Sequence, residues 1–252
     1  MSLFSNIRLC SIDIIAFCTY ILSIAFYRFF LSFMLNRSPD QLFLGKLQAY
    51  RIAWITEFSG AKDCIVVVQT LRNTIMSASF LASTSVVLIM GSLNLLPHIH
   101  SLDKIIKLVN MFGSPNPDLE MIKILLAIII LSYSFFHFTC YIREANYLSF
   151  MLNVPKHQLD KIEGCDSRDL LANIFLHAGI HFSLGMRGYY FLFPLFMWLF
   201  SPILMILSIL LILWILLKRD LDRSTKSEKN NFYNKEKEAA KIFKNKKITI
   251  QK

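Results

Sequence analysis

Glycine and proline are scarce, at 8 and 7 of 252 residues. A collagen-like or low-complexity chain needs several times more of both. Charge is scarce too: 17% of residues are charged, where a soluble domain carries about 25%. Five cysteines, at positions 10, 18, 64, 140 and 165, make an odd number with no C-x-x-C among them. That argues against a disulfide framework and against a thiolate zinc site. Cys10, Cys18 and Cys140 fall in apolar runs and read as small packing residues. Also missing are a nucleotide-binding glycine loop, a haem-attachment motif and a nucleophile elbow. No cofactor is therefore indicated by motif, and the chain leans away from being an enzyme. It shows no internal repeat, so the usual pointer to a transporter built from inverted halves is lacking.

What the chain does have is apolar sequence. Hydrophobic residues make up 55% and the mean hydropathy is +0.49, which points to a membrane protein. Four runs are long enough to cross a bilayer, which takes about 20 helical residues. They cover residues 9–35, 74–96, 122–142 and 189–217. The first is interrupted by Asp13 and Arg28. It is longer than a signal-peptide core and no A-x-A site follows, so it reads as an uncleaved span. The last would be about 44 Å long as one straight helix, and Pro194 and Pro202 offer places for a kink. Residues 42–58 read as a helix on the cytoplasmic surface, with Trp54 and Tyr50 at headgroup level. Residues 97–120 read as a loop.

A fifth candidate covers 170–186, LLANIFLHAGIHFSLGM. Asp169, Asn173, His177, His181 and Gly185 recur every four residues and share a slowly drifting helix face. This is a polar-striped helix, either crossing the membrane or re-entrant. Charge counting separates the two. Four passes with the N-terminus inside leave 15 Lys/Arg inside and 10 outside, and the tail alone supplies that preference. Five passes with the N-terminus outside put 21 inside and 4 outside. The weak point of five passes is the turn, which RGYYFLFP at 187–194 would have to make. The expected fold is an all-α polytopic bundle over 1–217, with four clear spans and this fifth embedded helix.

Residues 218–252 form a basic tail with 12 Lys/Arg against 5 Asp/Glu, while the other 217 residues hold 15 against 12. The protein is thus not broadly basic, and nucleic acid is not an expected partner. The tail reads as a disordered cytoplasmic segment suited to anionic lipid. The bilayer itself is the expected partner, and a bacterial cytoplasmic membrane the expected location.

Several polar residues stand where they need a reason. In QTLRNT, Gln69, Asn73 and Ser77 share a face and Arg72 stands beside Gln69. An Arg at mid-bilayer costs about 2.5–3.5 kcal/mol on insertion scales. The group therefore reads either as a boundary anchor or as an anion contact at a cavity mouth. Ala78/Ala82 and Ser79/Ser83 are small-x-x-x-small pairs that let helices in lipid approach closely, within the chain or between copies in a homo-oligomer. His177 and His181 could reach one metal ion, with His137 as a third ligand. Ala178 stands where a zinc hydrolase has Glu, so interhelical hydrogen bonding or proton relay is the alternative. Arg143, with Glu144 or Asp169, suits a boundary ion pair, and Asn146 lies close by. Arg187 and Tyr189 read as interface anchors, like Trp54. Asp13 is an acid inside a span, which is a functional candidate unless it merely caps the helix start.

Four blocks, QAYRIAWITEF, VVVQTLRNTIMSASFLASTSVVLIMG, FFHFTCYIREANYL and HFSLGMRGYYFLFPLFMWLFSP, follow one another in the chain. Together they resemble an uncharacterised integral-membrane family of bacteria and plants, domain of unknown function 599. SIDIIAFCTY is similar to the opening span of its bacterial members. The resemblance covers most of 11–217 and leaves out the tail. It implies four membrane helices, against the fifth pass, and no chemistry. Three functions stay open: binding or passing a small solute or ion at a polar intramembrane site, a membrane interaction or assembly factor, and an intramembrane metal-dependent enzyme.

Overall fold

The structure is a computed structural model that describes residues 2–37, 43–58, 64–98, 117–164 and 166–220. The described elements are helices: α1 (Ser2–Arg37), α2 (Phe43–Phe58), α3 (Cys64–Leu95) with a 3-10 turn at Leu96–His98, α4 (Pro117–Met151), α5 (Lys156–Glu163) and α6 (Ser167–Phe200). A last helix, α7, runs over Pro202–Asp220. The 99–116 stretch, Cys165 and the tail beyond Asp220, with the disorder expected of it, lie outside the described residues.

Four helices are long and apolar enough to cross a bilayer: Ser11–Met34 of α1, Ile65–His98, Asp118–Met151 of α4, and α7. Helix α6 is not one of these four, and it accompanies α4 antiparallel from end to end. At one end Lys123 of α4 donates to the Trp198 carbonyl of α6 at 3.1 Å. Midway, His137 meets His181. At the other end Leu148 and Leu152 pack with Leu171. With 34 residues, α6 is about 51 Å long, more than a hydrocarbon core of about 30 Å. Asn173, two histidines and Arg187 lower its hydropathy, which is why composition alone separates it from the other four.

The expectation of one span over 189–217 is corrected, and so is a turn at 187–194. Helix α6 continues straight through RGYYFLFP, with Pro194 inside it and buried. The break comes at Ser201, whose extended backbone (φ −167°, ψ 139°) ends α6. The Ser201 hydroxyl accepts from the Ile203 N–H at 3.3 Å, and Pro202 is the first residue of α7. A serine N-cap followed by proline is a helix start. Proline inside a helix forfeits one backbone bond, which neighbouring helices in a membrane bundle help to tolerate.

Three apolar clusters hold the bundle. Ala16, Tyr20 and Tyr27 of α1 meet Phe191, Leu195 and Trp198 of α6 and Met205 and Ile209 of α7. Ala78 of α3, Tyr141 and Ala145 of α4, and Ala178 of α6 meet near the middle. Ile55 of α2, Leu71 of α3, Leu148 of α4 and Leu171 of α6 close the far end. The surface helix expected at 42–58 is thus present, with Ile55 fully buried and Tyr50 outward. Helix α6 comes closest to α4 at Gly188, where a Cβ would collide with the Ser134 hydroxyl, and at Gly185, where it would lie 2.8 Å from the Phe138 ring. Asp166 caps α6 by accepting from the Arg168 N–H at 3.1 Å. That bond, with Lys156 nearby, holds its carboxyl below the ordinary aspartate value.

Candidate functional site

Gln69, Arg72 and Asn73 all lie exposed on α3, away from the histidines of α6. The hydroxyls around them turn back on their own helix: Thr70 to the Val66 carbonyl at 2.9 Å, Thr74 to Leu71 at 2.9 Å, Ser77 to Asn73 at 3.1 Å. Such bonds satisfy a hydroxyl in lipid without a partner helix. Ala78 and Ala82 are buried, and Ala78 packs against α4 within this chain.

The neighbouring face of α3 borders a cavity of about 510 Å³ between α2, α3, α4 and α6. Small-molecule sites span about 300–1,000 Å³. Leu47, Tyr50, Arg51 and Trp54 come from α2, and Thr70, Leu71, Thr74 and Ser77 from α3. Tyr141 of α4 and Phe175, Gly179 and Phe182 of α6 complete it. Arg51 is its one charged wall residue. Its guanidinium lies against the backbone of Gly179, where a Cβ would collide with Nη1, and 5.8 Å from the centre of the Phe175 ring. Tyr141 faces it electrostatically and hydrogen-bonds the Thr74 side chain. Burial lowers the Arg51 pKa from its ordinary value. Trp54 packs on Phe175 at 5.5 Å between centroids, so the expected headgroup anchor is also a cavity wall.

The polar stripe of α6 drifts as its spacing requires, about 40° per step of four. Asn173 and His177 are exposed, His181 is half-buried and Gly185 is buried. His181 Nδ1 lies 2.8 Å from His137 Nδ1, a contact in which one ring must hold a proton the other accepts. His181 Nε2 faces Glu144 at 3.8 Å. So His137 and His181 come together, while His177 does not join them. Among the described residues no group of three His, Cys, Asp or Glu is placed to hold a metal ion. Arg143 and Asn146 are exposed, and Glu144 faces His181 instead of pairing with Arg143.

Asp13 is buried, 2% exposed, at the opposite end of the bundle. It accepts from the Trp198 indole N–H at 2.8 Å and lies 4.0 Å from Lys123. Lys123 donates to Glu120 at 2.7 Å and sits 5.1 Å from the Trp198 ring centre. This network ties α1, α4 and α6 together. Arg187 lies over Tyr27 at 5.5 Å and shares with Arg28 the wall of a cavity of about 140 Å³. Tyr189 reaches the Leu81 carbonyl at 2.5 Å and Ser85 at 2.6 Å, tying α6 to α3. Sequence reasoning missed Arg51, Glu120, Lys123 and Trp198 as site residues. A lone lysine in the apolar run 121–132 was the available signal for Lys123.

Residues 15–225 match the model of a family described as "Protein of unknown function, DUF599". No curated protein and no solved structure matches the chain.

Proposed function

The chain belongs to the DUF599 family, and from that premise we propose that it is a multi-pass membrane protein that binds a small ligand in the α2–α3–α4–α6 cavity, facing the cytoplasm. The observation that carries this reading is the convergence of one half-buried guanidinium and a tyrosine on a cavity of about 510 Å³. A few placed polar groups in a mostly apolar hollow are the usual make-up of a ligand site. The cytoplasmic placement follows from charge. The cavity shares its end of the bundle with Arg37, Lys46, Arg72, Arg143, Lys156, Lys161 and Arg168, and the basic tail follows α7 in the sequence. Before Asp13 and between α3 and α4 the sequence holds only Arg8, Lys104 and Lys107, and cytoplasmic loops are the Lys/Arg-rich ones. On this reading the membrane is the cytoplasmic membrane, and the tail lies against its anionic inner surface.

The test fills the hollow. Ser77 is on the exposed rim, so Ser77→Trp adds bulk without removing a core contact. Protein purified in detergent is denatured and the released small molecules are identified by mass spectrometry. A molecule carried by the natural protein and absent from the Ser77→Trp variant is the expected result. The same inventory from both contradicts the reading.

A further inference from the structure

We propose that the ligand of this cavity is an anionic amphiphile taken from the bilayer, its charged group against Arg51 and its apolar chain held between α2 and α3. The inference rests on the cavity being a ligand site and goes on to name the ligand's chemistry.

A guanidinium keeps its proton in any protein, so Arg51 brings a full positive charge into a hollow whose other walls are apolar or hydroxylic. Among the described residues no carboxylate forms an ion pair with it. A half-buried cation without a counter-charge is partly desolvated at a cost, and an arriving anion offsets that cost. The planar fork of donors fits a phosphate or carboxylate through two parallel hydrogen bonds. Gly179 sets where that fork sits. Any Cβ there would take the space of Nη1, so glycine positions Arg51 without touching the ligand.

The walls decide the rest of the molecule. Leu47, Leu71, Phe175 and Phe182 line the hollow, and none has a polar atom to bond a second charge or a sugar. The hydroxyls of Thr70, Thr74 and Ser77 already bond their own helix. A ligand matching these walls is apolar apart from its head. The rim decides the route. It runs between Tyr50 of α2 and Thr70 and Ser77 of α3, all exposed. On α3 it continues into Met76 and Phe80, 61% and 73% exposed, apolar side chains of a spanning helix and therefore facing acyl chains. An amphiphile lying in the leaflet meets this opening head at the boundary and chain in the hydrocarbon.

Three probes separate the parts: a monoacylglycerol phosphate, glycerol phosphate without the chain, and a monoacylglycerol without the charge. Each is titrated against the full chain in non-ionic detergent and followed by native mass spectrometry. The natural protein should bind the first at least about tenfold more tightly than the other two, a difference of one well-placed charged contact. Arg51→Gln should weaken that binding about tenfold and Gly179→Ala nearly as much, while Arg51→Lys restores part of it. Gly179→Ala keeps the charge and the fold, so its loss reads positioning. Equal binding of glycerol phosphate would make the ligand a water-borne anion and overturn the proposal. Equal binding of the monoacylglycerol would do the same by removing Arg51 from recognition. If no probe binds but a neutral molecule is displaced by Ser77→Trp, the cavity reading stands and this inference falls.

Discussion

Lys123 shows how single residues carry this bundle. Its ammonium lies between Asp13 of α1 and Glu120 one turn earlier on α4, all three nearly out of contact with solvent. Removing one partner of a buried ion pair leaves an uncompensated charge and costs about 3–5 kcal/mol. Lys123→Met should therefore lower stability by about that much in detergent unfolding, and Asp13→Asn with Glu120→Gln added should recover most of it. No recovery would mean that the loss comes from packing against Trp198. Asp13 was legible in the sequence, because an acid inside a span demands a partner. Its partners were not, since one sequence does not say which helices touch. Arg51 was overlooked for a related reason. Its place in the apolar periodicity of residues 44–58 marks a packing face, and only the fold shows that the face borders a hollow.

Among the elements, α6 organises the rest. The four apolar runs made four helices easy to foresee. The fifth was visible only through its four-residue polar spacing and the Lys/Arg count. Its end was misplaced because Pro194 looked like a breaker, whereas the working signal was Ser201 followed by Pro202. The stripe was read as one face, and the drift of the helix divides it: His181 turns inward to His137 and His177 outward. Contact between α6 and α4 depends on small residues, since in lipid close packing does the work that hydrophobicity does in water. Gly188→Leu should push Ser134 aside and cost about 1–3 kcal/mol, read as a lower melting temperature in detergent. Gly91→Leu, where nothing lies within 4 Å of an added Cβ, should leave it nearly unchanged. Equal effects would show that α6 and α4 are not tightly apposed at Ser134.

At the scale of the whole molecule, the proposed five-pass arrangement divides the charges in a way four passes cannot. It places the Arg51 cavity among the basic loops at one surface and the Asp13–Lys123–Glu120 clamp near the other. Among the described residues the polar groups fall into separate centres, among them the Arg51 cavity, the His137–His181 contact, the Arg28–Arg187 cavity and the Asp13–Lys123–Glu120 clamp. That division was illegible beforehand, because helical spacing gives faces and not depths or neighbours. Every functional statement above depends on α6 crossing the membrane. Single cysteines at Gln158, in exposed α5, and Phe200, at the far end of α6, test it on a background without the natural cysteines, using a membrane-impermeant thiol reagent on intact cells. The account predicts that Phe200→Cys is labelled at once and Gln158→Cys only after permeabilisation; labelling of both from the same side would contradict it.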